Sequence, residues 1–363
     1  MNSAIASAVP LTRQKQENGG HWIAYTVSLL LTAAVAVLLY LVIVLPPGQS
    51  KLLRYEGAYS LPSHGALNVL DYLSVSGDNL FVAGESSGSF FQIFLPARGI
   101  KVRELQGSPN AHGFAVVPEL KIGFATRSGT ENQVDVVDIR DMTLQSTIPV
   151  AQDADGILYD ELSKLIYVAS GEAKQAMVID PSSRSVVGSV SLPGSPEGAV
   201  VDRSSGLLYQ NLQDRNSIAA VDLSRRTVEG EWPLSGCEEP SGIAIDPVAR
   251  RIFCACKGNA RLVIFGLDSH HVIASVGIVK KPDAIAYDSE LGRIYAAGIG
   301  GQLSVILQDG GDRYRLGESI RTHYGAHTVT VDARTHRVYV GYASLLTPPR
   351  VVVFSATRLR SIG

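Results

Sequence analysis

The chain has 363 residues, of which 45% are hydrophobic and 18% charged, and its formal net charge is −2. That balance excludes a broad electrostatic pull toward nucleic acid or anionic membranes. Three cysteines without a C-x-x-C-H run exclude a disulfide framework and a covalently attached haem.

The first element in chain order is residues 22–45, WIAYTVSLLLTAAVAVLLYLVIVL, 24 residues without a charge. As a helix this run is long enough to span a bilayer. Trp22 and Tyr25 stand where an interfacial aromatic belt lies, and Pro46, Pro47 and Gly48 end the run. It is too long for a signal-peptide core, and no A-x-A cleavage site follows. The reading is an uncleaved transmembrane helix over 22–45, after a short cytoplasmic tail (1–21) and before a linker (46–53). Arg13 and Lys15 on one side nearly balance Lys51 and Arg54 on the other. A short leading tail with a large following domain suits a signal-anchor. The expected location is a single-pass inner-membrane protein whose main domain is extracytoplasmic or periplasmic. The absence of any N-x-[ST] sequon in that domain agrees with a bacterial setting.

After residue 60 one pattern recurs. HGFAVVPELKIGFAT begins at His112, DGILYDELSKLIYVAS at Asp155 and EGAVVDRSSGLLYQN at Glu197. SGIAIDPVARRIFCA, DAIAYDSELGRIYAA and HTVTVDARTHRVYVG begin at Ser241, Asp283 and His327, so the steps are 42 to 44 residues. One step back from His112 falls on Asp71, heading DYLSVSGDNLFVAG, with Tyr72 where most other units have glycine. Each unit holds four short runs of alternating apolar residues bounded by Gly, Pro, Asp and Ser, as in GIAID, RIFCA, RLVIFGL and HVIASVGI. Four strands in 40 to 45 residues make the blade of a β-propeller. The expected fold is therefore all-β, a seven-bladed propeller over residues 54–358, with a tail over 359–363. The seventh unit is one strand short, and RYEGAYSLPS (54–63) resembles the fourth strands SVVGSVSLPG and TVEGEWPLSG. Pairing this amino-terminal segment with the last blade closes the ring and hides two strand edges.

The units SPEGAVVD, EPSGIAIDP and KPDAIAYD, followed by LIYVAS or RVYVGY, resemble the YVTN/YncE-like family of seven-bladed propellers, and more loosely the NHL and SMP-30-type propellers. The resemblance covers residues 54–358. It implies the architecture and says little about activity, because one fold hosts many functions. SMP-30-type lactonases hold a divalent metal in the channel, but their ligands include Asn, and the corresponding column here has none. Some YncE-like propellers are associated with DNA, yet this chain has no basic stripe, and no nucleic-acid partner is expected.

Two polar columns run through the repeat. Asp160, Asp202, Asp246, Asp288 and Asp332 each precede a turn and are expected to cap it. The unit's first letter changes instead: Asp71, His112, Asp155, Glu197, Ser241, Asp283, His327. It opens the strand that lines the channel, so these seven are expected to ring one mouth as a ligand-binding site. Clustered carboxylates with imidazoles suit a divalent cation. Asp71, His112 and His327 are neighbours through the closure and form the tightest metal candidate; a His–carboxylate pair could also serve as a general base.

Tyr167, Phe253, Tyr295 and Tyr339 recur at one strand position and are expected in the core. The three cysteines are expected to be small buried hydrophobes, with a disulfide to Cys237 as the alternative in an oxidising compartment. No nucleophile elbow, P-loop or zincin motif occurs. The expected function is a membrane-tethered binding or scaffold module that meets a protein or small ligand through its channel mouth. The alternative is a metal-dependent, lactonase-like hydrolase. No cofactor is expected beyond a candidate divalent metal.

Overall fold

Short runs with a two-residue apolar period, cut by turn-forming residues, can bury one face only by stacking sheet on sheet. In the computed structural model, which describes residues 18–43, 47–95, 101–342, 344–345 and 348–358, they form seven four-stranded antiparallel sheets. Blade 1 comprises Leu73–Ser76, Asn79–Gly84, Ser89–Phe94 and Val102–Gln106. Blade 2 comprises Ala111–Val117, Ile122–Arg127, Gln133–Asp138 and Thr143–Pro149. Blades 3 to 6 open with Ala154–Asp160, Pro196–Asp202, Pro240–Asp246 and Pro282–Asp288. Each opening strand packs beside the next, and that of blade 7 (Thr328–Asp332) packs against that of blade 1.

Blade 7 is completed as expected. Leu53–Ser60 pairs antiparallel with Arg350–Ala356, Leu53 opposite Ala356 and Ser60 opposite Arg350. Arg293, only 3% exposed, fastens the closure by donating to the carbonyls of Leu52 (3.2 Å) and Thr357 (2.6 Å). Tyr167, Phe253, Tyr295 and Tyr339 are fully buried between blades. Each burial of such a ring contributes about 2 kcal/mol.

The aspartate column caps turns. Asp246 Oδ1 accepts from the amides of Val248 (3.0 Å) and Ala249 (2.9 Å), and Asp160 accepts from those of Leu162 and Ser163. Asp202 accepts from the amide and hydroxyl of Ser204, the hydroxyl of Ser205, and Arg250 of the next blade.

Two expectations change. Cys237 and Cys256 form a disulfide, so only Cys254 is a free buried thiol. The cause is register: Pro240 pairs with Cys256, which brings the loop carrying Cys237 over the end of the neighbouring strand, with the two Cα atoms 5.2 Å apart. The second change concerns the membrane span. Residues 1–46 and 47–363 are two separate compact units, and the first contains a helix, Asn18–Ile43. Its side chains are described only from 22 to 36, a length of roughly 22 Å at the helical rise. Among the described residues no helix is long and apolar enough to cross a membrane. Residues 44 and 45 of the expected span, residues 1–17 of the expected tail and residues 359–363 lie outside the described residues.

Candidate functional site at the channel mouth

The repeat keeps a glycine beside its changing letter for a reason visible in the backbone. In blades 2 to 6 the opening strand slips register against its neighbour between its first and fourth residues, as between Pro240 and Ile243. Such a bulge bends the strand and re-aims the side chains within it. The changing residue and the one after it sit in that bulge. A Cβ on Gly242 would lie 2.3 Å from the Asp283 carbonyl oxygen, and one on Gly198 would lie 2.8 Å from that of Ser241. Glycine is held there by close approach to the next blade, while its neighbour is left free to vary.

The opening strands enclose a cavity of about 260 Å³. Asp71, Glu197, Ser241 and Asp283 line its mouth; Leu73, Ile157, Ile243, Ile285 and Val329 line its wall farther along the same strands. Tyr72, at the position that is glycine in blades 2 to 5, also lines it. Its hydroxyl comes within 3.9 Å of where a Cβ on Gly156 of blade 3 would stand, so the ring reaches across two blades. The Asp155 carboxylate and burial push this phenol well above the usual tyrosine range.

Electrostatics divide the mouth into two groups. His112 bonds through Nδ1 to Asp71 Oδ2 at 2.7 Å and through Nε2 to Ser128 Oγ at 2.8 Å. Asp155 Oδ1 lies 3.6 Å from the same Nδ1. Burial alone would lower the imidazole, but the Asp71 bond and the charges of Asp155 and Asp71 outweigh it and raise the group to about 9. His112 is therefore an internal cation at neutral pH. Burial first, and the Asp71 charge second, push Asp155 well above the ordinary carboxylate range. Its Oδ1 is buried without a hydrogen-bond partner.

On the other side Lys257 Nζ meets Asp283 Oδ1 at 3.0 Å. Burial would lower the ammonium, but Asp283 and Glu197 hold it above its usual value. Burial and the nearby Asp283 push Glu197 up to about 7, against the pull of Lys257. Among the described residues two cations thus face four carboxylic groups, two of which resist ionisation, first because they are buried and second because other carboxylates stand beside them.

The structure places the seven sequence-selected residues in different surroundings. Asp71, Glu197, Ser241 and Asp283 line the cavity, and Asp71, His112 and Asp155 bring one ligand atom each within 4.8 Å of one another. Ser241 is buried, its hydroxyl donating to the Pro282 carbonyl at 3.0 Å. His327 precedes its strand and bonds within its own loop, Nδ1 to the Gly325 oxygen at 2.8 Å. Of the expected metal trio Asp71, His112 and His327, the structure brings Asp71 and His112 together, with Asp155 as their third neighbour among the described residues.

Sequence reasoning missed Lys257 and Ser128. Both stand directly after the second strand of their blades, where the other units carry Glu85, Gly171, Gln213 and Ile299. That second varying column was the available signal.

No protein-family model matches the chain, and no curated protein matches its sequence. Among solved structures it is similar to hydrazine synthase of Kuenenia stuttgartiensis, with a TM-score of 0.67 at 15% identity over 80% of this chain and 95% of that one. It is also similar to the WD40 repeats of RRP9, with a TM-score of 0.69 at 10% identity over 84% of this chain and all of that one. At these identities the likeness shows the fold alone.

Proposed function

We propose that the chain is a binding module whose channel mouth takes up a cationic group on an apolar stem, the chemistry of a lysine or arginine side chain or of an alkylammonium ion. The observation that carries this reading is the charge imbalance: among the described residues Asp71, Asp155, Glu197 and Asp283 face two cations, His112 and Lys257, and Asp155 Oδ1, 3.6 Å from the His112 ring, makes no hydrogen bond. The apolar wall beyond the mouth supports a stem rather than a bare ion. A ligand cation supplies the missing positive charge and lets Asp155 and Glu197 ionise.

The test is calorimetric titration of the full chain with pentylammonium and with its anionic counterpart pentanoate. The expected result is binding of the amine alone, weakened at least tenfold in a Glu197→Gln/Asp283→Asn double variant. Equal binding of pentanoate contradicts the reading.

A second reading is a divalent metal on Asp71, His112 and Asp155, serving a hydrolase. It is favoured by the 4.8 Å cluster. On this reading the ion must displace the His112 proton, because a ligating imidazole is neutral. Zinc titration at pH 7 with proton counting separates the two.

The binding-module reading includes an extracytoplasmic setting and kinship with YVTN/YncE-like propellers. The Cys237–Cys256 disulfide supports an oxidising compartment. The repeat residues support the kinship. A periplasm-dependent reporter fused after Gly363 should be active; activity only as a cytoplasmic fusion contradicts the placement.

A further inference from the structure

The third strands of the seven blades share a core position. It is Val136, Val178, Ala220, Ile264, Val305 and Val353 in blades 2 to 7, all buried and apolar. In blade 1 it is Gln92, which is only 4% exposed. A buried amide costs free energy unless its bonds are made, and it breaks the local rule of the repeat. Gln92 makes them outward. Its Nε2 donates to the Ile139 carbonyl of blade 2 at 2.8 Å and to Asn79 Oδ1 at 3.2 Å. Its Oε1 accepts from Arg103 at 3.1 Å. The amide therefore steers a guanidinium into the cleft between blades 1 and 2.

That cleft is a recess of about 490 Å³ at the end of the blades opposite the channel mouth, where the turns between strands one and two lie. Lys101, Arg103, Lys121 and Arg140 line it, with Phe94 as an apolar wall. Arg140 is paired with Asp138. Among the described residues no carboxylate pairs with Lys101, Arg103 or Lys121. The acids on the flanking turns are engaged elsewhere: Asp78 with Arg334, Glu119 with Lys164 and Tyr159, and Asp141 with Thr143. Among the described residues three cations without an ion-pair partner thus converge in a chain whose net charge is −2.

We propose that this recess is a second binding site, for a small soluble molecule carrying a phosphate or sulfate group on a flat apolar body. Arg103 offers the planar fork that matches tetrahedral oxyanions. Lys101 and Lys121 add point charges from either side, and the 42% exposed ring of Phe94 contacts the body. The site is independent of the channel mouth, since no residue is shared.

The test is titration of the full chain at low ionic strength with phenyl phosphate, inorganic phosphate and phenol. Phenyl phosphate is expected to bind at least tenfold tighter than either fragment. A Lys101→Gln/Lys121→Gln double variant, altered only at exposed positions, is expected to lose at least tenfold in affinity with an unchanged Tm. Gln92→Val, which restores the residue type of the other blades, is expected to weaken binding further by releasing Arg103. Undiminished binding in the double lysine variant overturns the proposal, as does phenol or inorganic phosphate binding as tightly as phenyl phosphate.

Discussion

The two polar columns of the repeat occupy the two ends of the same strand and are opposite in character. At the turn end Asp160, Asp202, Asp246, Asp288 and Asp332 are almost fully buried, and each accepts hydrogen bonds from its own turn. At the mouth end the residues change type from blade to blade, meet across blades and leave charge unbalanced. Satisfied polar groups make a blade; unsatisfied ones make a site. The comparison predicts that changes in the first column lose stability, whereas changes in the second alter binding and can add stability.

The largest expected effect concerns the boundary between them. Gly242→Ala places a methyl against the Asp283 carbonyl, an overlap with backbone that no rotamer relieves. A loss of about 3 kcal/mol is expected in chemical denaturation. A loss under 1 kcal/mol would show that the bulge is not held by close packing. Asp202→Ala is next. It removes a buried carboxylate with hydroxyl, amide and guanidinium donors. It should cost about 2 kcal/mol while leaving pentylammonium binding unchanged. A binding defect at full folding would merge the two columns.

Glu197→Gln should do the reverse. The folded carboxyl titrates near 7, above its ordinary 4.5, so the folded state holds the extra proton between those values. Stability is therefore highest below about pH 4.5 and declines as pH rises through 7. Glutamine removes that decline, giving a gain of about 3 kcal/mol at pH 8 and under about 1 kcal/mol at pH 5. A variant less stable at pH 8 would contradict the assigned burden. The smallest effect is expected from Lys257→Gln. It deletes an internal competitor at little structural cost, and ammonium binding should tighten about threefold. Weaker binding would show instead that Lys257 serves to keep Glu197 ionised for the ligand.

The blades, their number, the closure by 54–63 and the capping aspartates were all legible, because each follows from local periodicity and turn chemistry. The partners at the mouth were not. His112 meets Asp71 and Asp155 rather than His327 because the bulge and loop of each blade set side-chain direction, and no single repeat encodes that. Lys257 was hidden because its acid, Asp283, belongs to the next blade. The Cys237–Cys256 bond was open in the sequence and decided by strand register. Gln92 stands out only when seven third strands are aligned on their observed pairing.

The central claim is that the mouth is short of positive charge, and the pH dependence of amine binding tests it most directly. Between pH 6 and pH 8 the Glu197 carboxyl passes through its titration near 7. Pentylammonium should bind about tenfold tighter at pH 8, with proton release on binding at pH 6 to 7. Equal affinity at both pH values, with no proton released, would contradict the account.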